Sequence, residues 1–166
     1  MATRVNDFEI FSHDRDGRVQ DVVGMLPSIY VFEHGLIPEA VVGVLQKPIR
    51  EGGKLEPSNF ARNSIFVNFL HRFIAERAPL DPEIQNAAGR QSTGHVYIID
   101  ARTFGPDQKV PPEDVIGRFR VEEGTIVTGS YEPNPGHVIL SNSGFFKLSP
   151  TMMRGLREDL VRLQSK

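Results

Sequence analysis

The sequence predicts an α+β fold in a single domain of residues 1–166, and three observations lead to that class. Apolar residues recur at helical spacing after Ser58, and a second stripe of this kind follows Ser149-Pro150. Between residues 93 and 140, short apolar segments are separated by turn-forming residues, which indicates strands. We therefore expect a mixed or antiparallel sheet in the second half, a long aromatic-rich helix and a C-terminal helix. A chain of 166 residues suits one core that buries roughly two-thirds of the unfolded surface.

The N-terminal segment predicts a β-hairpin. Short apolar segments at 7–11 and 19–23 flank a turn that contains Asp16-Gly17. Asp and Gly both tolerate the left-handed backbone that a tight turn needs. The apolar segments 29–36 and 39–45 follow, and each is short enough to be a helix or a strand.

The clearest helical pattern lies between Ser58 and Pro79. Ser58 is a suitable N-cap, and Pro79 blocks continuation of the helix. The apolar residues between them recur at spacings of three and four: Ile65, Phe66, Phe69, Leu70, Phe73 and Ile74. We favour one helix from Ser58 to Arg77, and a strand followed by a helix is the alternative.

Four strands are predicted after a polar segment at 81–92, which is itself a short helix or a connection. They are residues 95–100, 115–121, 125–128 and 137–140. The first is apolar at consecutive positions, so we predict a central strand with Val96 and Ile98 buried on one face and Tyr97 and Ile99 on the other.

The C-terminal helix has its own start signal. Ser149 provides an N-cap and Pro150 suits the first helical position. The residues predicted to form its buried stripe are Met152, Met153, Leu156, Leu160 and Leu163.

Composition excludes several classes of protein. The chain has no Cys, which removes disulfides, thiol nucleophiles and iron–sulfur clusters. Its 19 Lys and Arg are interspersed with 21 Asp and Glu, so neither nucleic acid nor a membrane is predicted as a partner. No signal peptide or membrane-spanning run is visible. We expect a soluble protein that is cytoplasmic or delivered by a specialised secretion system.

The residues by themselves define no catalytic set. The five His residues include no pair at i and i+4, so no metal site is predicted. Neither a G-x-S-x-G elbow nor a P-loop is present. His137 near Asn134 resembles part of a nuclease site, but the chain lacks the basic face that a phosphate backbone requires. Asp100, at the end of a predicted strand, either orients a ligand or caps the following turn.

The order of several segments resembles the ADP-ribosyltransferase toxins of the cholera and pertussis type. The segments that carry the resemblance are Asp14-Arg15-Asp16-Gly17-Arg18, Gly35-Leu36-Ile37-Pro38, Phe60-Ala61-Arg62-Asn63-Ser64, the strand 92–100 and the Pro-initiated turn and strand 110–121. In that family a Glu-x-Glu motif precedes the Pro turn, whereas this chain has no Glu between Ala101 and Lys109.

The resemblance implies a toxin or effector domain of bacterial type that uses NAD and no metal. It places Arg15 or Arg18 at the NAD pyrophosphate and Tyr97 against the nicotinamide. The catalytic carboxylate of the family belongs to the Glu-x-Glu motif, which this chain lacks. The resemblance implies that Glu132, in the loop from Ser130 to Pro135, would supply the carboxylate instead and that Ser64 would orient it. Its partner would be a protein target or a cognate immunity protein.

The absence of a complete catalytic set supports an alternative from another class. In this second hypothesis the chain is a non-catalytic protein-binding module, such as an immunity or adaptor protein, or a catalytically degenerate relative of the transferase fold. Whether the protein is an enzyme stays open at this point.

Overall fold

A computed structural model describes residues 2–103 and 109–165 of the chain, apart from the side chain of Arg15. The α+β class is confirmed, because the described residues form both helices and antiparallel sheets. The helices are α1 (Ser28–His34), α2 (Ser64–Arg77), α3 (Pro82–Gly89) and α4 (Pro150–Gln164). The strands are β1 (Thr3–Val5), β2 (Phe8–Arg15), β3 (Arg18–Gly24), β4 (Val41–Leu45), β5 (Phe60–Arg62), β6 (Thr93–Ile99), β7 (Val115–Glu122), β8 (Thr125–Ile126), β9 (Glu132–Pro133), β10 (Leu140–Ser141) and β11 (Gly144–Phe145).

The chain packs into two compact units. The first combines Met1–Leu70 with Arg154–Lys166, and the second is the continuous stretch His71–Met153. The first unit is thus discontinuous in sequence. The expectation of a single domain over the whole chain stays a prediction. None of the helices in the described ranges is both long enough and apolar enough to cross a bilayer.

The first unit is built on a five-stranded antiparallel sheet in the order β1-β2-β3-β4-β5. The predicted N-terminal hairpin is confirmed as β2 and β3, which are joined by Asp16 and Gly17 at φ 54° and 82°. The Asp14 side chain closes the turn by accepting a hydrogen bond from the Gly17 amide at 2.9 Å. Buried side chains of this unit come from the sheet, from α2 and from α4, among them Ile10, Val23, Phe66, Leu70, Leu156 and Leu160.

The prediction of one helix from Ser58 to Arg77 is wrong, and the alternative of a strand followed by a helix is observed. Residues 60–62 form β5, which pairs with residues 43–45 of β4. Gly43 permits this pairing, because a Cβ atom there would lie 2.4 Å from the Phe60 ring. Asn63 then separates the two elements, with its Oδ1 accepting a hydrogen bond from the Ile65 amide at 3.2 Å. Ser64 is therefore the first residue of α2.

The second unit contains a sheet in the order β6-β7-β8, with β9 paired to β7. The prediction that residues 95–100 form a central strand buried on both faces is wrong. Within the described ranges β6 pairs only with β7, and its side chains alternate. Val96 and Ile98 are buried, whereas Tyr97 is half exposed and Ile99 is also exposed. The apolar residues on the second face therefore face solvent instead of a second core.

The remaining elements follow local signals. Strands β7 and β8 form the expected hairpin around Glu123 and Gly124, at φ 51° and 74°. The predicted C-terminal helix is confirmed as α4, and the Ser149 hydroxyl caps it by accepting a hydrogen bond from the Met152 amide at 3.3 Å. The strand predicted over 137–140 begins only at Leu140, because the preceding residues enter the buried cluster described below.

Candidate functional site

The candidate site is an open pocket of about 340 Å³ in the second unit. Strands β6, β7 and β9 form its sheet face, and the segment before β7 and the segment after β9 form its walls. The lining residues combine one aromatic ring, one ion pair, one amide and several apolar groups: Tyr97, Pro112, Val115, Gly117, Arg118, Glu132, Pro133, Asn134 and Pro135.

The polar side of the pocket is the pair Arg118 and Glu132. Arg118 lies directly opposite Tyr97 on β6 and Glu132 on β9, so the three side chains share one face of the sheet. The guanidinium donates to Glu132 Oε2 from Nη2 at 3.1 Å and from Nε at 3.3 Å. Hydrogen bonds to Glu132 and, second, to Tyr97 raise the pKa of Arg118. The face therefore presents a permanent cation and a carboxylate beside an aromatic ring.

Gly117 lines the floor of the pocket, and Tyr131 packs closely against this glycine. A Cβ atom at position 117 would lie 2.4 Å from Tyr131 Oη, so the ring can occupy this place only beneath a glycine. The Tyr131 hydroxyl also lies 2.7 Å from His71 Nδ1, and the ring packs against Phe119 with centroids 5.0 Å apart. Burial raises the pKa of Tyr131, so the hydroxyl is neutral at physiological pH.

The side chain of Asn134 holds one wall of the pocket in place through hydrogen bonds. Its Nδ2 donates to the carbonyls of Pro112 at 3.0 Å and Val115 at 2.7 Å, and its Oδ1 accepts from the Gly136 amide at 3.0 Å. One side chain thus ties together the segment before β7 and the segment after β9. The wall is ordered by hydrogen bonds before any ligand arrives.

These wall segments are also tied to a buried polar cluster that consists of Asp100, Arg102, Asp114, His137 and Ser141. Asp100 lies at its centre and is fully buried. Its Oδ1 accepts from the amides of Arg102 at 3.0 Å and Lys147 at 2.9 Å. Its Oδ2 lies 2.8 Å from His137 Nε2 and 3.0 Å from Arg102 Nη2. Of the two interpretations of Asp100, the structure shows the one in which it caps the following turn.

Arg102 joins two separate chain segments, residues 138–144 and residues 113–114. Its Nη1 donates to Ser141 Oγ at 3.0 Å and to the Gly144 carbonyl at 2.8 Å, and its Nη2 donates to the Val138 carbonyl at 2.7 Å. Nη2 also lies 3.0 Å from Asp114 Oδ1. Since Asp114 immediately precedes β7, the cluster positions the strand that carries Arg118.

The structure brings together two of the five residues that the sequence singled out. Tyr97 and Glu132 line the same pocket, and Glu132 belongs to β9 instead of a loop. Ser64 and Arg18 are exposed residues of the first unit, at the starts of α2 and β3. The side chain of Arg15 lies outside the described part of the structure. The catalytic and NAD-binding roles of these residues stay predictions.

Sequence reasoning missed Arg118 in the pocket, and Arg102 and Asp114 in the cluster. It named Asn134 and His137 only as part of a nuclease site, whereas the structure places Asn134 in the pocket wall and His137 in the buried cluster.

A signal for Arg118 existed, because the charged residues Arg118, Arg120 and Glu122 alternate with the apolar Phe119 and Val121, and this pattern predicts a strand with Arg118 on its solvent-facing side. No comparable signal marked Arg102, which reads as an ordinary polar residue of a turn.

Comparisons with known proteins add no assignment, since no protein-family model, curated protein sequence or solved structure matches the chain. Within residues 2–103 and 109–165, no group of three or more His, Cys, Asp or Glu is arranged to hold a metal ion. The pocket offers a flat aromatic surface on Tyr97, hydrogen-bond donors on Arg118 and acceptors on Glu132.

Proposed function

We propose that the protein is a non-catalytic protein-binding module and that its second unit binds an exposed segment of a partner protein in the pocket beside Tyr97. The observation that carries this proposal is the shared face of Tyr97, Arg118 and Glu132 over a preordered pocket. Tyrosine and arginine are the residue types that most often carry binding energy at protein interfaces.

The polar groups around the pocket support binding better than chemistry. A general acid or base must reach a substrate with its proton or lone pair available. Glu132, the predicted catalytic carboxylate, is engaged by two donors of Arg118. Asp100 and His137 are buried and bonded to each other. These three ionisable groups are thus engaged in contacts within the unit, whereas the half-exposed ring of Tyr97 can pack against a partner.

The shape of the site favours a peptide segment. A pocket of about 340 Å³ lies at the small end of ligand sites, which run from about 300 to 1,000 Å³. It accepts one or two side chains of an extended chain. Arg118 bonds Glu132 through Nε and Nη2, and its other N–H groups can donate to the backbone carbonyls of that chain.

A peptide-display selection on the immobilised parent protein tests the proposal. We expect enriched peptides that bind the parent and lose at least about tenfold in affinity on Tyr97→Ala, since truncating a central aromatic anchor costs more than about 1 kcal/mol. The matched control is Tyr30→Ala, which removes a tyrosine of α1 outside the pocket. Peptides that bind Tyr97→Ala as tightly as the parent would contradict the proposal, as would a selection without enrichment.

A second candidate function is an NAD-dependent ADP-ribosyltransferase toxin or effector. It is favoured by one observation, that Tyr97 and Glu132, named from the family resemblance, line the same pocket beside a guanidinium. Binding of NAD would raise the melting temperature by mass action. Release of nicotinamide by the parent protein and its loss on Glu132→Gln would favour the transferase over the binding module. A parent protein that shows neither a shift nor release leaves the binding module as the function.

A further inference from the structure

Strand β6 forms an open edge of the sheet in the second unit. Within the described ranges it pairs with β7 alone, and its other side carries no neighbouring strand. Its sequence, Thr-Gly-His-Val-Tyr-Ile-Ile, contains no Lys, Arg, Asp, Glu or Pro, and Tyr97 is 50% exposed. Proteins usually protect an edge strand with charge, proline or very short length. An uncharged edge of seven residues therefore marks a place where another strand can add.

The edges of the five-stranded sheet in the first unit are built differently. They are β1 and β5, which are three residues long each. Each of them also contains an arginine, Arg4 in β1 and Arg62 in β5. Short length and charge both discourage pairing with a further chain. Strand β6 has neither of these protections.

The pairing of β7 shows which backbone groups of β6 are free. In an antiparallel pair, alternate residues bond to the partner strand and the residues between them point away. The Val127 amide donates to the Arg120 carbonyl at 2.9 Å, so Arg120 bonds on the side of β7 that is remote from β6. Its neighbour Phe119 therefore bonds to β6, where it lies opposite Val96. The residues on either side of Val96 consequently point their N–H and C=O groups away from β7.

These outward-pointing residues are His95 and Tyr97. The His95 carbonyl accepts from Gln91 Nε2 at 2.8 Å, which agrees with this direction. No residue in the described part of the chain bonds to the backbone amide or carbonyl of Tyr97. Beyond the end of β6, the Ala101 amide donates to the Lys147 carbonyl at 2.8 Å. The free edge is thus a short stretch centred on Tyr97 and bounded by contacts of the chain with itself.

We propose that an extended segment of the partner protein pairs with β6 at Tyr97 and adds a strand to the sheet. This inference rests on the proposed function, because it states how the backbone of the segment bound beside Tyr97 is held. The N–H and C=O of Tyr97 both point outward, and an opposing strand residue bonds to both groups at once. The side chain of that residue packs against the exposed ring, so we expect an aromatic or β-branched residue there.

The ends of the free edge favour a separate segment over a second copy of the chain. Two β6 strands paired antiparallel about Tyr97 would bring Thr93 of one copy opposite Ala101 of the other. The Ala101 amide is already bonded to Lys147. A separate segment of roughly five residues, at a strand rise of about 3.3 Å each, fits between the Gln91 contact and the Lys147 contact.

Amide hydrogen exchange measured by NMR tests the pairing at single residues. In the free parent, the Tyr97 amide should exchange at least about a hundredfold faster than the Val96 amide, which faces β7. The probe is the tightest-binding peptide from the display selection on the parent protein. At ten times its dissociation constant, the peptide should slow exchange at Tyr97 by about tenfold through mass action. An unbonded amide exchanges from the native state, so this slowing reports direct pairing.

Two variants at one position separate the backbone from the ring. Tyr97→Ala and Tyr97→Pro both remove the ring, but the proline also removes the N–H. Proline is tolerated in an edge strand where its nitrogen faces solvent, and circular dichroism checks that both variants fold. We expect Tyr97→Pro to bind the peptide about fivefold more weakly than Tyr97→Ala, through the loss of one hydrogen bond.

Three results would overturn strand addition. The first is a Tyr97 amide that already exchanges as slowly as Val96 in the free parent, which would show a paired edge, with a second copy as the occupant if dilution restores fast exchange. The second is a bound peptide that leaves the Tyr97 amide fast. The third is equal affinity of Tyr97→Pro and Tyr97→Ala. The last two results leave the pocket as a binding site, whereas a selection without enrichment contradicts the proposed function and this inference together.

Discussion

Two arginine–carboxylate centres in the second unit have nearly the same geometry and opposite surroundings. Arg102 lies 3.0 Å from Asp100, with 1% of its side chain exposed. Arg118 lies 3.1 Å from Glu132, with 40% of its side chain exposed. The two distances alone would predict equal contributions to stability. The Arg102–Asp100 pair, however, holds segments of the chain together, whereas the Arg118–Glu132 pair lies at the pocket.

The difference shows that burial decides what an ion pair does. Removing two charges from water costs several kcal/mol per ion, and the cost is offset only when further hydrogen bonds satisfy both groups. Asp100 and the two terminal nitrogens of Arg102 meet that condition through carbonyls and amides of several loop segments. The buried Nε of Arg102 is left without a hydrogen-bond partner among the described residues. Arg118 and Glu132 stay hydrated, so their pairing contributes little to folding, and the guanidinium of Arg118 remains accessible to a partner.

The largest expected effect is at the buried centre. Arg102→Ala should lower the free energy of unfolding by about 3 to 5 kcal/mol, because it leaves Asp100 and Asp114 buried without their cation. Urea unfolding measures this loss. The control is Arg120→Ala, which breaks an exposed pair with Glu122 at 3.4 Å and should change stability by less than about 1 kcal/mol. Equal losses of unfolding free energy in Arg102→Ala and Arg120→Ala would show that burial does not make the Arg102 ion pairs more important for folding than an exposed pair.

The floor beneath the exposed centre gives a smaller effect. Gly117→Ala should cost about 1 to 3 kcal/mol, the range for overpacking, because its new methyl group meets Tyr131 at 2.4 Å. Gly89→Ala serves as the control, since a Cβ there meets nothing within 4 Å. That variant should be unchanged or slightly more stable, given the helix propensity of alanine. A fully stable Gly117→Ala protein would show that the floor is loosely packed.

The hydroxyl of Tyr131, which packs against Gly117, makes the stability of the protein depend on pH in the alkaline range. Burial raises the pKa of Tyr131 in the folded state above its ordinary value of about 10. The unfolded chain therefore loses this proton first, and stability from this group is complete below about pH 10 and falls as the pH rises further. Tyr131→Phe should cost about 1 kcal/mol at neutral pH through the lost hydrogen bond. Its melting temperature should also fall less steeply than the parent's above about pH 10. The same alkaline slope in both proteins, with Tyr30→Phe as control, would argue against a buried hydroxyl.

The smallest effect on folding is expected at the exposed centre itself. Arg118→Ala should change the free energy of unfolding by less than about 1 kcal/mol. It should nevertheless weaken binding of the peptides selected by the pocket, by about tenfold, because it removes donors from the binding face. Thermal unfolding and a binding titration on the same variant measure the two quantities. A folding loss as large as that of Arg102→Ala would make this pair structural.

Elements with complete local signals could be predicted from the sequence. The Asp16-Gly17 turn contains two residues that accept positive φ, so the hairpin of β2 and β3 was expected. The start of α4 was equally clear, because Ser149 and Pro150 are a cap and a first helical residue in the correct order. In both cases the information lies within a few neighbouring residues.

Elements fixed by distant partners could not be predicted. Residues 60–62 fit a helix by themselves and become a strand because β4 lies beside them. Tyr97 and Ile99 have the apolar character of core residues but lie on the open face of their sheet. For the candidate site, Glu132 and Tyr97 were named from the sequence, whereas Arg118 depends on a register between three strands. Arg102 becomes a buried cation only through carbonyls about 40 residues away.

The discontinuous first unit determines the order in which the molecule can be completed during synthesis. Arg157 donates to the Asp7 carbonyl at 2.6 Å across 150 positions of the chain. Residues 1–70 leave the ribosome before residues 71–153, yet their unit lacks part of its core until residues 154–165 emerge. The second unit, a continuous stretch, has all its residues earlier. Of the two units, the one that begins to emerge earlier is therefore the one completed later, and its apolar surfaces stay exposed longer before they meet their native partners.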